Sequence, residues 1–205
     1  MVTTNANPRK VVTGKVRLSY VHLDTPQVFE DGSTKFTVKV LVPKTDKVTI
    51  KKIRSAQKAA IELGESAGKF KGKKVKRNSK TGEPDWGGAW DTVHDGDDTD
   101  KDEDAGNIVF TVTNRNRPGI VDRQLNNLEP GEVYSGCYAR VSLTAGPYNY
   151  QGKIGVTFYL DNVQFLSDGP PLDGRSVATD DFSDEYEDED DYDEDSPEDD
   201  DSDLI

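Results

Sequence analysis

A chain of 205 residues with a formal net charge of -13 at pH 7 and 33% hydrophobic residues fits one globular domain with appendages, part of which never packs into a core. The composition excludes a membrane span, because no window approaches the roughly 18–20 apolar residues needed, and Met1 to Lys10 lacks the apolar core of a signal peptide. The single cysteine, Cys137, excludes an internal disulfide framework, so we expect a soluble protein of the reducing cytoplasm in which Cys137 is a small buried residue.

Residues 1–10 are polar and predict a flexible N-terminus. Apolar side chains then alternate in two runs separated by a loop with Asp31-Gly32, which indicates an antiparallel hairpin. Pro43 ends the second run, since proline has no N–H with which to continue the ladder. The side chains predicted to point inward are Val12, Val16, Leu18 and Tyr20 in the first run and Phe36, Val38, Val40 and Val42 in the second.

A helix is predicted next, because the apolar period changes to three or four residues. Thr45 or Asp46 can cap its start, and Gly64 or Gly68 can end it. The apolar positions that define it are Ile50, Ile53, Ala56, Ala60 and Leu63.

A long insertion, residues 69–106, follows the helix. Its first part, 69–81, carries seven Lys or Arg and no acid, and its last part, 91–104, is acidic. The basic part could become ordered on a phosphate backbone or could be an ordinary solvated loop. Between the two parts stand Trp86 and Trp90, which could stack on bases or anchor the insertion to the domain.

Three further strands are predicted after the insertion, and a hairpin tip, 146–152, joins the last two. In the final strand Val163 and Phe165 continue the alternation in the opposite parity, so a bulge near Asp161-Asn162 is expected to absorb the slip. The inward side chains are Ile108, Phe110 and Val112, then Cys137, Ala139, Val141 and Leu143, then Ile154, Val156, Phe158 and Leu160.

Five strands and one helix predict a mainly β fold, a five-stranded OB-like antiparallel barrel over residues 11–172 with the inserted segment 69–106. In the usual OB-fold the helix lies between the third and fourth strands. The helix predicted here lies between the second and third, which indicates a variant topology.

Cations and tyrosines gather on the outward faces of these elements. Lys and Arg would follow a sugar–phosphate backbone, and tyrosines offer flat surfaces on which unpaired bases stack, at roughly 1–3 kcal/mol per base. The alternative is a charged sheet face that contacts only solvent. The residues predicted to bind single-stranded DNA are Lys15, Arg17, Lys35, Lys39, Tyr138, Arg140 and Tyr159 on strands, Tyr148 and Tyr150 at the hairpin tip, Lys71, Lys73, Lys74, Trp86 and Trp90 in the insertion, and Arg115 and Arg117 after the third strand.

The sequence contains no constellation typical of a catalytic or metal site. Carboxylates are dense between Asp95 and Asp102, but no frame supplies both the Gly and the Glu of an EF-hand loop. They are also neighbours in one loop, unlike the ligands of a two-metal nuclease, and His22 and His94 lack partners for zinc. We therefore expect a protein without cofactor or enzymatic activity.

The acidity of the chain is confined to its end. From Asp180 to Ile205 there are 17 Asp or Glu and no Lys or Arg, which leaves 22 acidic against 26 basic residues before position 180. Such asymmetry indicates polyanion binding by the basic body, since Lys and Arg displace counterions from phosphates. Mutual repulsion predicts a disordered tail over 173–205. The tail ends Asp203-Leu204-Ile205, an apolar terminus that could dock with partner proteins, while the acidic run could occupy the basic surface as a phosphate mimic or simply aid solubility.

Four segments, in their order and spacing, resemble the single-stranded DNA-binding proteins of tailed bacteriophages, a family of OB-fold type. The resemblance implies coating of single-stranded DNA in replication and recombination, and recruitment of replication proteins through an acidic C-terminus. Tails of that class often end in an aromatic residue, whereas this chain ends Leu204-Ile205. The segments are Thr13-Gly14-Lys15-Val16-Arg17-Leu18-Ser19-Tyr20 with Lys35-Phe36-Thr37-Val38; Asp95-Gly96-Asp97; Arg117-Pro118-Gly119-Ile120-Val121-Asp122; and Tyr134-Ser135-Gly136-Cys137-Tyr138 through Lys153-Ile154-Gly155-Val156 to Leu160-Asp161-Asn162-Val163-Gln164.

A second hypothesis is an interaction protein whose acidic tail acts as a DNA mimic or histone-like chaperone, with the barrel as its scaffold. The charge contrast between tail and body allows both hypotheses, and the outward cations and tyrosines favour DNA binding. The expected partners are single-stranded DNA and, through the tail, replication or recombination proteins in the cytoplasm of a bacterial host. Self-association is left open.

Overall fold

A computed structural model describes residues 7–172, which form a mainly β structure with one α-helix. Most of the predicted flexible N-terminus, residues 1–6, and the predicted disordered tail, 173–205, lie outside the described residues. The strands are β1 (Lys10–Val12), β2 (Val16–Val28), β3 (Thr34–Pro43), β4 (His94–Asp95), β5 (Asn107–Asn114), β6 (Gly119–Val121), β7 (Tyr138–Tyr150) and β8 (Lys153–Ser167), and the helix is α1 (Lys47–Ser66).

Five long strands pair in a closed ring, in the order β7, β2, β3, β5, β8 and back to β7. All of these pairings are antiparallel except that of β5 with β8, which is parallel through Thr113 and Tyr159. The short strands β1, β4 and β6 add to β7, β5 and β8. The predicted OB-like arrangement is confirmed, including the unusual helix between the second and third strands of the ring.

The core fills the inside of the ring with the alternating apolar side chains of the strands, and one face of α1 packs against it. Val38 and Val40 of β3 are fully buried, and the Phe110 and Phe158 rings meet at 5.2 Å between centroids. Cys137 is buried as predicted, and burial raises the pKa of its thiol to about 11. The thiol is therefore protonated and unreactive in the folded chain.

Helix α1 begins where the sequence predicted. The Asp46 side chain accepts a hydrogen bond of 2.9 Å from the backbone N–H of Thr49. Hydrogen bonding to the Thr49 side chain, and to a smaller extent to its backbone N–H, lowers the pKa of the Asp46 carboxyl. The helix ends at Ser66, before Gly68, whose φ of 67° only glycine adopts freely. No helix among residues 7–172 is both long and apolar enough to cross a membrane.

The prediction for the first strand is wrong at its start and at Tyr20. It is divided into β1 and β2, and Val12 is exposed at the edge of β7 instead of pointing inward. Within β2 the pairing slips between Ser19 and His22, so two β2 residues lie opposite one residue of β3. This bulge turns Tyr20 outward, where half of its surface is exposed.

The bulge predicted in the last strand is confirmed. Ser142 pairs with Asn162 and Leu143 with Leu160, which leaves Asp161 as the extra residue of β8. A hairpin joins the last two strands as predicted. The predicted extent of its tip, 146–152, is wrong, because β7 continues to Tyr150 and only Gln151-Gly152 form the turn. Both turn residues have positive φ, as a two-residue hairpin turn requires. Tyr148 and Tyr150 therefore lie on a continuously paired two-stranded ribbon.

Candidate nucleic-acid interface

An open groove of about 760 Å³ crosses the outer surface of the ring where β5, β8 and the end of β7 meet. We call it the tyrosine groove. It brings together five of the predicted DNA-binding residues. The groove is lined by Lys35, Thr92, Thr113, Asn114, Arg115, Asn116, Tyr148, Tyr150, Thr157 and Tyr159.

Two glycines on the neighbouring strands hold the tyrosine rings flat against the sheet. Tyr148 pairs with Gly155, and a Cβ at Gly155 would overlap the Tyr148 ring. Likewise, a Cβ at Gly146 would overlap the ring of Tyr159. Because each ring covers a glycine, its outer face stays open, and Tyr159 keeps 42% of its surface exposed. Tyr150, nearer the turn, is 67% exposed.

Two cations stand at the edge of the tyrosine groove. The Lys35 ammonium lies 4.6 Å from the centroid of the Phe29 ring, and Arg115 is exposed directly after β5. The Asn114 side chain donates to the Leu160 carbonyl at 2.7 Å and so fixes the point where the chain leaves β5. Within residues 7–172 neither Lys35 nor Arg115 forms an ion pair. Both charges are thus available to an anion.

A second basic patch lies where the start of β2 meets β7, beside a separate groove of about 280 Å³. The Lys15 ammonium sits 4.1 Å from the Tyr138 ring centroid, and the Arg17 guanidinium sits 6.0 Å from it. Arg140 is exposed nearby and donates to the Thr13 carbonyl at 3.1 Å. This β2–β7 patch shares no lining residue with the tyrosine groove. The structure therefore divides the predicted basic face into two.

Lys39 lies apart from both patches and is already paired. Its ammonium is 2.5 Å from a carboxylate oxygen of Asp104, and the two side chains are 14% and 1% exposed. A charge held this tightly by a buried carboxylate offers little to a phosphate. The same acidic loop pairs Asp95 and Asp97 with Lys44, and hydrogen bonds from Lys44 lower the pKa of both carboxyls.

The basic part of the insertion is anchored to the domain. Phe70 and Val75 are buried, and Lys73 donates at 2.5 Å to the Gly152 carbonyl in the turn of the β7–β8 ribbon. Lys71 and Lys74 are exposed beside it. The loop thus places cations next to the exposed end of the tyrosine ribbon.

The two tryptophans differ in how deeply they are buried. Trp90 is 5% exposed and donates its ring N–H to the Asp85 carbonyl at 3.0 Å, so it anchors the insertion. Trp86 is half-buried, 5.6 Å from Trp90 between ring centroids, and the Arg54 guanidinium lies 4.7 Å from its ring. Arg54 in turn pairs with the buried Asp91.

Arg117 lines neither of these grooves. Arg117 pairs with Asp24 at 3.1 Å. Arg17 donates to the Pro170 carbonyl at 2.7 Å, and the N–H of Leu172 donates to the Ser135 carbonyl, so the last described residues are fixed beside the β2–β7 patch. The predicted docking residues Asp203, Leu204 and Ile205 fall outside the described part of the chain.

Comparison with known proteins decides the family. The sequence model of a family described as the single-stranded DNA-binding protein of Enterobacter phage Enc34 matches residues 9–193. The chain belongs to this family. The resemblance found in the sequence is thereby confirmed.

Two phage proteins are similar to this chain, one in sequence and one in both sequence and fold. "Putative protein p50" of Acyrthosiphon pisum secondary endosymbiont phage 1 is 33% identical over 173 residues, which are 80% of this chain and 90% of that protein. The single-stranded DNA-binding protein of bacteriophage Enc34, solved in complex with ssDNA, has a TM-score of 0.59 and 26% identity over 80% of this chain and 89% of that one.

A more distant structure shares the fold. Gp2.5, a single-stranded DNA-binding protein encoded by bacteriophage T7, has a TM-score of 0.54 and 13% identity, over 82% of this chain and 98% of that one. At this identity the likeness concerns the fold alone.

Tyr20 is an outward aromatic residue, although the alternation in the sequence predicted that it points inward. Its ring lies beside Lys39 and Lys101 on the outer surface. The spacing from Leu18 to Leu23, both fully buried, is five residues, which period-two alternation cannot produce without a bulge. That odd spacing was the signal available in the sequence.

Proposed function

We propose that the protein coats single-stranded DNA, without regard to base sequence, during phage DNA replication and recombination in the bacterial cytoplasm. One observation carries the proposal: the tyrosine groove combines three outward tyrosine rings with Lys35 and Arg115, two cations that form no ion pair within residues 7–172. Membership of the Enc34 family and the likeness to a relative solved with ssDNA support it.

In the proposed complex, bases stack on Tyr148, Tyr150 and Tyr159 while Lys35 and Arg115 bind the phosphates. Stacking uses the π-face that every base has, and phosphate contacts carry no sequence information. Binding is therefore independent of sequence. Lys71, Lys73 and Lys74 would extend the path beyond the turn of the ribbon.

The β2–β7 patch is a second contact region in this proposal. Lys15, Arg17 and Arg140 would bind phosphates and Tyr138 would stack on a base. Lys15 and Arg17 already lie against the Tyr138 ring, so the ring is oriented before DNA arrives. Preorganised groups bind at a lower entropic cost.

The acidic tail is proposed to compete with DNA for these basic surfaces and to recruit replication or recombination proteins through Leu204-Ile205. Two facts support competition: the 17 carboxylates of 180–205, and the anchoring of residues 170–172 beside Arg17. A tethered competitor acts at a high effective concentration. DNA that displaces the tail would free its apolar end for a partner.

Fluorescence anisotropy with a labelled oligothymidine, titrated with salt, tests the proposal. Affinity should fall steeply with salt, with a slope of about -0.7 per phosphate contact in a log–log plot, and duplex DNA should bind more weakly. Deleting 180–205 should tighten binding. A tail of equal length with Asn and Gln for its acids is the matched control, and it should behave like the deletion.

A tail-deleted chain without affinity for the oligothymidine at low salt would refute the central claim. The same result, combined with binding of basic proteins by the full chain, would favour an acidic-tailed DNA mimic or chaperone. Affinity that the deletion leaves unchanged would remove only the competition between tail and DNA.

A further inference from the structure

Tyr20 has a backbone conformation that bulky residues rarely adopt. Its φ is 49°, in the left-handed region, at the bulge between Ser19 and His22. Such a conformation costs on the order of 1 kcal/mol and persists only where surrounding structure imposes it. Its effect is to place an aromatic ring on the outer surface, half exposed, between the fully buried Leu18 and Leu23 of the same strand. The ring therefore adds little to the core.

A cation from the insertion reaches this ring. The Lys101 ammonium donates to the Tyr20 hydroxyl at 2.6 Å and lies 4.2 Å from the ring centroid. This hydrogen bond raises the pKa of Lys101, so the ammonium keeps its charge. Lys39 lies 5.7 Å from the ring centroid but is held by Asp104. Within residues 7–172 Lys101 forms no ion pair, which leaves it free to turn to a phosphate.

Lys101 lines a groove that adjoins the tyrosine groove, and Tyr20 contacts that groove through the Lys101 ammonium. A neighbouring groove of about 490 Å³ is lined by Lys39 and Lys101 among others, and it shares Thr92 and Thr157 with the tyrosine groove. A single DNA strand bound along Tyr159 would meet Lys101 and then Tyr20 if it continued past these two threonines. Two carboxylates line this neighbouring groove. Asp104 is compensated by Lys39, whereas Asp100 is exposed and forms no ion pair within residues 7–172.

We infer that Tyr20 and Lys101 form a further nucleotide-binding site, in which an unpaired base stacks on the Tyr20 ring and the adjoining phosphate binds Lys101. The site rests on the proposed function and extends it. The site would explain why β2 has a strained bulge at Tyr20, since a regular strand would bury the Tyr20 side chain. It also assigns to the insertion a direct contact with DNA through Lys101.

Substitution of Tyr20 in the full-length protein tests the site. Asn tolerates the left-handed conformation, so Tyr20→Asn removes the ring without straining the chain. We expect its Kd for a labelled oligothymidine to rise about tenfold, the loss of one stacked base. Tyr20→Phe keeps the ring and should stay within about twofold of the wild type. Lys101→Ala should reduce the salt slope by about 0.7, one phosphate contact.

Leu125 supplies a matched control. It is also an apolar residue with positive φ, 67°, it is 71% exposed, and it lines none of the grooves described above. Leu125→Asn should leave the Kd unchanged. An equal Kd for Tyr20→Asn and the wild type would overturn the site, and so would an equal loss in Leu125→Asn. A wild-type chain that binds no oligothymidine would instead refute the proposed function.

Photocrosslinking of the unmodified protein gives an answer that does not depend on the folding of a variant. An oligothymidine that carries 5-iodouracil should form an adduct on the peptide that contains Tyr20. Adducts confined to other parts of the chain would overturn the site.

Discussion

The Tyr148 ring lies flat across Gly155, its partner on the neighbouring strand. Any side chain at Gly155 would occupy the space of the ring, and its backbone conformation is one that other residues adopt freely. The glycine is therefore needed for the orientation of the tyrosine and not for the path of the strand. Gly146 and Tyr159 repeat the relationship from the opposite strands.

Gly155→Ala should weaken binding of single-stranded DNA with little loss of stability. The added methyl displaces the far end of the Tyr148 side chain, which is flexible, and one base loses its stacking surface. We expect a Kd about tenfold higher, measured by anisotropy with oligothymidine, and a denaturation midpoint close to that of the wild type.

Two comparisons make the Gly155 experiment specific. Gly131→Ala is the matched control, because a Cβ there meets nothing within 4 Å, and it should not change the Kd. Tyr148→Ala combined with Gly155→Ala should bind no more weakly than Tyr148→Ala alone, since both act through one ring. Additive losses in the double variant would contradict this explanation.

Trp90 and Tyr150 should separate stability from binding. Trp90 is 5% exposed and hydrogen-bonded, so Trp90→Ala should lower the free energy of unfolding by about 3 kcal/mol. Tyr150 is 67% exposed, and Tyr150→Ala should leave stability within about 0.5 kcal/mol while it weakens DNA binding. Urea unfolding and anisotropy on both variants check this. A Trp90→Ala protein of normal stability would show that the ring is not an anchor.

The strands of the ring could be predicted because each buries one face, and burial on one face produces alternation along the sequence. Asp161 could be predicted as a bulge because Val163 and Phe165 keep alternating in the opposite parity. The bulge at Tyr20 was not predicted because only two apolar residues after it, Val21 and Leu23, show the change in parity. The hydrogen bond from the Val21 N–H to the Ser135 side chain, which accompanies the bulge, joins residues 114 positions apart.

The candidate site could be predicted only in part, because alternation gives the inward or outward direction of a side chain but not its place around a closed ring. Lys15 and Lys35 are both outward, yet they lie in grooves that share no residue. Lys39 is outward as well, but its charge is compensated by Asp104, 65 positions away in an irregular loop. Strand periodicity carries no information about such a contact.

Asp46 should make the stability of the domain depend on pH in the acid range. Its carboxylate caps α1, and the hydrogen bond with Thr49 holds its folded-state pKa below the usual 3.8. The stabilisation is therefore fully present above pH 3.8 and is lost as the pH falls through the lower folded value. Asp46→Ala should lose about 1 kcal/mol at pH 7, a deficit that shrinks below pH 3.8.

Asp46→Asn separates charge from capping. Asn caps helices about as well as Asp, so the variant should match the wild type at pH 7 and lack its share of the acid-induced loss. Thermal melts from pH 7 down to pH 3 measure both variants. A deficit for Asp46→Ala that stays constant over this range would rule out titration of the cap.

The Lys39–Asp104 pair should contribute more to stability than the exposed ion pairs of the domain do. Asp104 is 1% exposed, so removing either partner leaves an uncompensated charge away from water. Asp104→Asn should lower the free energy of unfolding by about 3 kcal/mol, and Lys39→Met should lose less in the Asp104→Asn background than in the wild type. Asp97→Asn breaks a pair with Lys44 that is far more exposed, at 56% and 29%, and should cost much less.

Urea denaturation of the four variants measures the coupling between Lys39 and Asp104. Equal losses for Asp104→Asn and Asp97→Asn would mean that Lys39 is not bound to Asp104 in solution, and Lys39 would then be free, as the sequence predicted, to bind a phosphate.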